Sequence, residues 1–126
     1  MAISQGVDCV RSISRAEIVI FGPKHFGANI NPYASVSHYE RQHARSKVRP
    51  DDVAYNSKLK EIFSGQTYID LLDLLGPDGK KVSVFDSDGN PLTADRIHLT
   101  RYGAVFVAKR FFAAHPALAR RLRLSP

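Results

Sequence analysis

The sequence predicts an α/β protein, with helices packed on a parallel pair of strands. Three observations carry that prediction. The β-branched-rich run Ile18-Val19-Ile20-Phe21 halts at Gly22-Pro23, and its lack of alternation suits a central strand covered on both faces. Val53, Asn56, Leu59, Ile62 and Phe63 then recur at helical spacing, and Thr67 to Leu71 reads as a second short strand. Strand–helix–strand in that order implies a parallel crossover.

Taken in order, residues 1–15 show no clear period and read as a frayed start. Glu17 to Phe21 is the first strand, and Gly22 to Tyr33 a loop rich in Gly, Pro and Asn. Residues 34–50 are polar and read as surface. The helix starts at Asp51 or Asp52, with acids in its first turn, and ends at Ser64-Gly65. After the second strand, Asp70 to Leu75 either extends it or forms one helical turn, and Gly76-Pro77-Asp78-Gly79 is a turn. Val82 to Phe85 and Asn90 to Thr93 flank Asp86-Ser87-Asp88-Gly89, a hairpin signal. The last helix runs from an N-cap at Thr100 to about Ala114, with Val105, Ala108, Phe111 and Phe112 facing the core. His115-Pro116 stops it and a short basic tail follows. The chain reads as one domain, 1–126, with 1–16 and 115–126 as tails. Two parallel strands are few for such a sheet, so it looks like part of something larger.

Composition narrows the function classes. The chain has 126 residues, 44% hydrophobic and 24% charged, the balance of a globular domain with a real core. No apolar stretch approaches the ~18 residues of a membrane helix. The single cysteine, Cys9, allows no internal disulfide. The net charge of +6 is confined to the end: acids and bases balance through residue 100, and Arg101, Lys109, Arg110, Arg120, Arg121 and Arg123 supply the excess. Charge of this kind suits a solvated helix face and helix C-terminus. It lacks the base-reading and stacking groups of a nucleic-acid binder, and no nucleic-acid partner is expected.

The sharpest chemical feature is Asp95-Arg96-Ile97-His98, just before the last helix. An aspartate and a histidine three apart on one turn can meet, so that the carboxylate accepts Nδ1–H and leaves Nε2 outward as a base. The same spacing suits an aspartate that caps a turn beside a histidine that merely packs. His25 and Asn29, in the loop after the first strand, lie where ligands approach parallel sheets and are candidate substrate contacts. His38 and His43 have poor spacing for a metal on a helix, and His115 reads as a helix-end cation. Phe106, Phe111 and Phe112 read as packing.

Leu92-Thr93-Ala94-Asp95-Arg96-Ile97-His98-Leu99-Thr100-Arg101-Tyr102-Gly103-Ala104 resembles the last conserved block of SGNH (GDSL-type) hydrolases, where Asp-x-x-His precedes Leu-Ser/Thr and a Gly-Ala opens the C-terminal helix. Residues 18–31, Tyr68-Ile69-Asp70-Leu71-Leu72 and Phe85 to Leu92 are similar to the run-up to that block in SGNH domains fused to O-antigen-acetylase-like membrane acyltransferases. The likeness spans about residues 17 to 114. It implies the C-terminal part of a flavodoxin-like, three-layer α/β/α domain with a short hairpin before the last helix. The implied activity is that of a serine ester hydrolase or O-acyltransferase acting on carbohydrate acetyl esters. His98 would be the general base and Asp95 its orienting partner, with no cofactor and no metal. The resemblance also implies a membrane acyltransferase domain as partner and the periplasmic face of the inner membrane as location.

The family's nucleophile block is missing: Ser4, Ser12 and Ser14 stand in no Gly-Asp-Ser context. The oxyanion-hole blocks are missing too, and Gly27 and Asn29 do not replace them. Gly76 and Lys81 stand near where acyltransferase-linked members often carry a cysteine pair. The expectation is a truncation or mis-set start, with a second chain that supplies the missing half as a further option. The alternative is a non-catalytic remnant or interaction module that binds through its basic C-terminal helix and self-associates.

Overall fold

A computed structural model describes residues 2–27 and 31–125. Helices and strands mix throughout, so the protein is α/β in composition. The elements are α1 (Ala2–Ile13), β1 (Val19–Phe21), a 3-10 turn (Asn31–Tyr33), α2 (His38–His43), β2 (Arg45–Lys47), α3 (Pro50–Ile62), β3 (Thr67–Ile69), α4 (Leu71–Leu75), β4 (Lys81–Ser83), α5 (Arg101–Ala114) and α6 (Pro116–Arg121). Among the described residues, no helix is long and apolar enough to cross a membrane.

The parallel crossover is present. β1 pairs with β3 in parallel, Val19 opposite Thr67 and Phe21 opposite Ile69, with α3 on the connection between them. Pro50 opens α3 as its first helical residue, where the missing N–H costs nothing. Asp51 and Asp52 fill its first turn, and Asn56, Leu59 and Phe63 are buried. β1 differs from the expected central strand. Among the described residues it is three residues long, pairs only with β3, and leaves Phe21 53% exposed.

Residues 34–50 are more ordered than their polarity suggests. Ser37 and Glu40 form a reciprocal capping box that starts α2. β2 then pairs antiparallel with β4, Ser46 opposite Val82. Ala44, Ser46 and Val48 point inward, while Arg45, Lys47 and Arg49 point out. The hairpin after β4 also forms: Phe85 bridges Pro91, and the Leu92 N–H donates to the Val84 carbonyl at 2.9 Å.

Both expected tails carry helix. Residues 2–13 form α1, on which Val10 and Ile13 stay exposed. α6 buries Leu118 and Ala119, and Arg121 on it grips Glu17 through two nitrogens, with Nε to Oε2 at 2.8 Å. α5 starts where expected but is rotated. Gly103, Phe106, Val107 and Phe111 face inward, whereas Val105 and Ala108 are exposed. The cause is Gly103, whose absent side chain lets the helix rest on the Leu92 carbonyl; a Cβ there would stand 2.0 Å from that oxygen.

Two apolar clusters hold these elements. Phe26, Ala44, Val48, Leu72, Leu75, Val82, Val84, Phe85 and Leu92 make one, and Ile69, Leu74, Phe111, Leu118 and Ala119 the other. α4 divides its leucines between them, and Val107 touches both. Gly76 closes α4 against β4, and a Cβ there would lie 1.9 Å from the Lys81 carbonyl oxygen. A cysteine at 76 is therefore sterically barred.

Candidate active site

The segment 93–100 is a tight loop pinned at both ends. Thr93 bridges Leu99, and the Thr100 N–H donates to the Leu92 carbonyl at 3.0 Å. The Thr100 hydroxyl donates to the Pro91 carbonyl at 2.6 Å and accepts the Gly103 N–H at 3.1 Å, capping α5. Inside the loop Arg96 adopts φ 74°, a left-handed conformation rare for a side-chain-bearing residue. The chain thereby folds back over Asp95. One carboxylate oxygen of Asp95 accepts the N–H groups of Ile97 at 3.0 Å and His98 at 2.8 Å.

The other oxygen lies 2.5 Å from His98 Nδ1. An ionised carboxylate only accepts, so Nδ1 carries the proton, and the neutral ring keeps its lone pair on Nε2. These bonds, led by that from the imidazole and followed by those from the two backbone N–H groups, hold the Asp95 carboxyl well below the usual carboxylate range. The side chain of His98 is 80% exposed and that of Asp95 51%. Chemically this is an oriented base open to a partner.

The loop after β1 reaches the pair through its backbone: the Phe26 N–H donates to the Arg96 carbonyl at 3.0 Å. His25, one residue earlier, is half-buried and turns to its own surroundings. Its Nδ1 accepts the Gly27 N–H at 3.0 Å and lies 3.6 Å from Asp52. Asn29 lies outside the described residues. Ser12 donates to the Cys9 carbonyl and Ser14 accepts from the Ala16 N–H, both local bonds.

A second polar cluster sits at the carboxyl ends of β1 and β3. Tyr68 donates to Asn56 at 2.7 Å, Asn56 to Asp70 at 2.9 Å, and the Lys60 ammonium lies 2.7 Å from the same Asp70 oxygen. The other oxygen of Asp70 caps α4. Burial pushes the Tyr68 hydroxyl up to about 12. Burial likewise raises Asp70, but Lys60, Asn56 and the Asp73 N–H outweigh it and leave the carboxyl below its usual range. These groups satisfy one another and build structure.

The cavity nearest in sequence, about 360 Å³, lies between the 86–90 turn and the start of α5, with Asp88 on one wall and Arg101 and Tyr102 on the other. Asp95 and His98 do not line it. Among the described residues, no cluster of three or more histidines, cysteines or carboxylates could hold a metal ion. Sequence reasoning passed over two contributors to the site, the hydroxyl of Thr93 and the N–H of Phe26. Neither has a motif, since both act on backbone carbonyls. No family model, no curated protein and no solved structure matches the chain.

Proposed function

We propose that this chain carries the base and orienter of an SGNH-type ester hydrolase or O-acyltransferase, whose nucleophile lies outside the 126 residues. The observation that carries the reading is the Asp95–His98 contact, with Nδ1 on the carboxylate and the ring open to solvent. In such a reaction Nε2 of His98 takes the proton of a serine hydroxyl as its oxygen attacks the acyl carbon. The imidazolium, stabilised by Asp95, then returns the proton to the departing alkoxide. The parallel β1–β3 pair and its α3 crossover would be two strands and one helix of a larger flavodoxin-like sheet. A carbohydrate acyl ester as substrate, a membrane acyltransferase domain as partner and a periplasmic site of action follow from the resemblance of residues 17 to 114 alone.

The test is the reading frame 5′ of the Met1 codon. It should encode a Gly-Asp-Ser-like block, and the protein extended through it should hydrolyse p-nitrophenyl acetate and react with a fluorophosphonate. His98→Ala should abolish turnover, whereas the 126 residues alone should be inactive. An upstream frame without a serine block defeats the active-enzyme reading. The second reading is an interaction module, favoured by the half-exposed Phe21 on a strand with a single partner among the described residues. It predicts concentration-dependent self-association in sedimentation, and a strictly monomeric chain at high concentration removes that part of it.

A further inference from the structure

We infer that Thr93 is a positioning residue for the Asp95–His98 pair: its buried hydroxyl holds the carbonyl of His98 and so sets how the imidazole meets the carboxylate. The inference builds on the reading of that pair as orienter and base.

Thr93 is 0% exposed, and its Oγ1 donates to the His98 carbonyl at 2.8 Å. A buried hydroxyl is tolerated only with a partner. Valine would fill the same space with no polar atom to satisfy, so packing alone does not call for threonine. The hydroxyl instead anchors the far side of the turn that carries the site. The Phe26 N–H anchors the near side through the Arg96 carbonyl. With the carbonyls of 96 and 98 both held, the left-handed turn at Arg96 stays closed. The Ile97 and His98 N–H groups then stay aimed at one oxygen of Asp95 and the His98 ring at the other. Without the hydroxyl, the loop keeps its covalent path but loses the contact that holds the carbonyl of His98.

The experiment reads the ring rather than turnover. Imidazole ¹⁵N shifts of the 126-residue chain, recorded with the ring neutral, report which nitrogen carries the proton. That choice follows the hydrogen bond made at Nδ1. The wild type and Thr93→Ser should hold His98 mainly in the Nδ1–H form. Thr93→Val should raise the Nε2–H share about twofold or more, in a folded protein with dispersed amide signals. An unchanged tautomer in Thr93→Val overturns the inference about Thr93 and leaves the hydrolase reading standing. A wild-type ring already in the Nε2–H form overturns both. Should Thr93→Val fail to fold, Thr93→Ala against Thr93→Ser gives the same comparison. Both lose the γ-methyl and only the second keeps the hydroxyl, so equal tautomers in that pair also overturn the inference.

Discussion

Gly103→Ala should destabilise the protein, although alanine is the better helix former. In an open helix the change gains about 0.8–1.0 kcal/mol. At 103 the new Cβ would stand 2.0 Å from the Leu92 carbonyl oxygen and 2.9 Å from its carbon, far inside van der Waals contact. Both are backbone atoms and cannot swing aside. Relief requires α5 to lift away from Leu92, which stretches the Thr100 N–H bond to that carbonyl and the Thr100 hydroxyl bond to Pro91. Overpacking costs about 1–3 kcal/mol, and each weakened bond about 1 kcal/mol. The net expectation is a loss of about 2–4 kcal/mol, or about 6–15 °C in Tm for a chain of this length. Urea and thermal unfolding followed by circular dichroism measure it. Gly6, with nothing within 4 Å of a Cβ, is the control: Gly6→Ala should raise helicity and leave the midpoint no lower. A Gly103→Ala protein as stable as the wild type would refute the seating of α5 on Leu92, and with it the placement of the loop that carries Asp95 and His98.

Two further outcomes follow from the same geometry. Thr100→Val removes the cap on the Gly103 N–H and the bond to Pro91; unfolding should show a loss of about 1–2 kcal/mol. Lys60, Asn56 and the Asp73 N–H hold the Asp70 carboxyl below its ordinary value against the burial that raises it, with its side chain 10% exposed. A lowered carboxyl adds stability that is complete above the ordinary value and lost as pH falls through the folded one. Asp70→Asn should therefore be less stable at neutral pH and show a shallower acid limb of stability against pH below about 4. An acid limb as steep as in the wild type would show that the Lys60 pair contributes little.

Much of the frame was legible because local rules and tertiary packing agree. Gly22-Pro23, Ser64-Gly65 and the Asp-Ser-Asp-Gly turn punctuate the chain where the elements end. Thr100 caps α5 as its side chain predicts. Three-residue spacing on one turn allows the Asp95–His98 meeting without requiring it, and the left-handed turn at Arg96 completes it. Other features were hidden for physical reasons. β2 alternates inward and outward, but its central inward residue is Ser46, so hydrophobicity alone shows no strand. The rotation of α5 depends on the close approach of Gly103 to Leu92, a tertiary contact that helical periodicity cannot report. α6 follows a His-Pro pair that stops one helix and starts the next, since proline suits a first helical turn. The hydroxyl of Thr93 was invisible because its partner is a main-chain carbonyl, which leaves no pattern in side chains.

The role proposed for His98 depends most on how its ring is held, and ¹⁵N spectroscopy of the wild-type imidazole in an Asp95→Ala comparison measures that directly. The expected result is a wild-type Nδ1–H tautomer with a free Nε2, giving way to the Nε2–H form once the carboxylate is gone. A ring with the same proton distribution in both proteins would contradict it, because Asp95 would then not be steering the base.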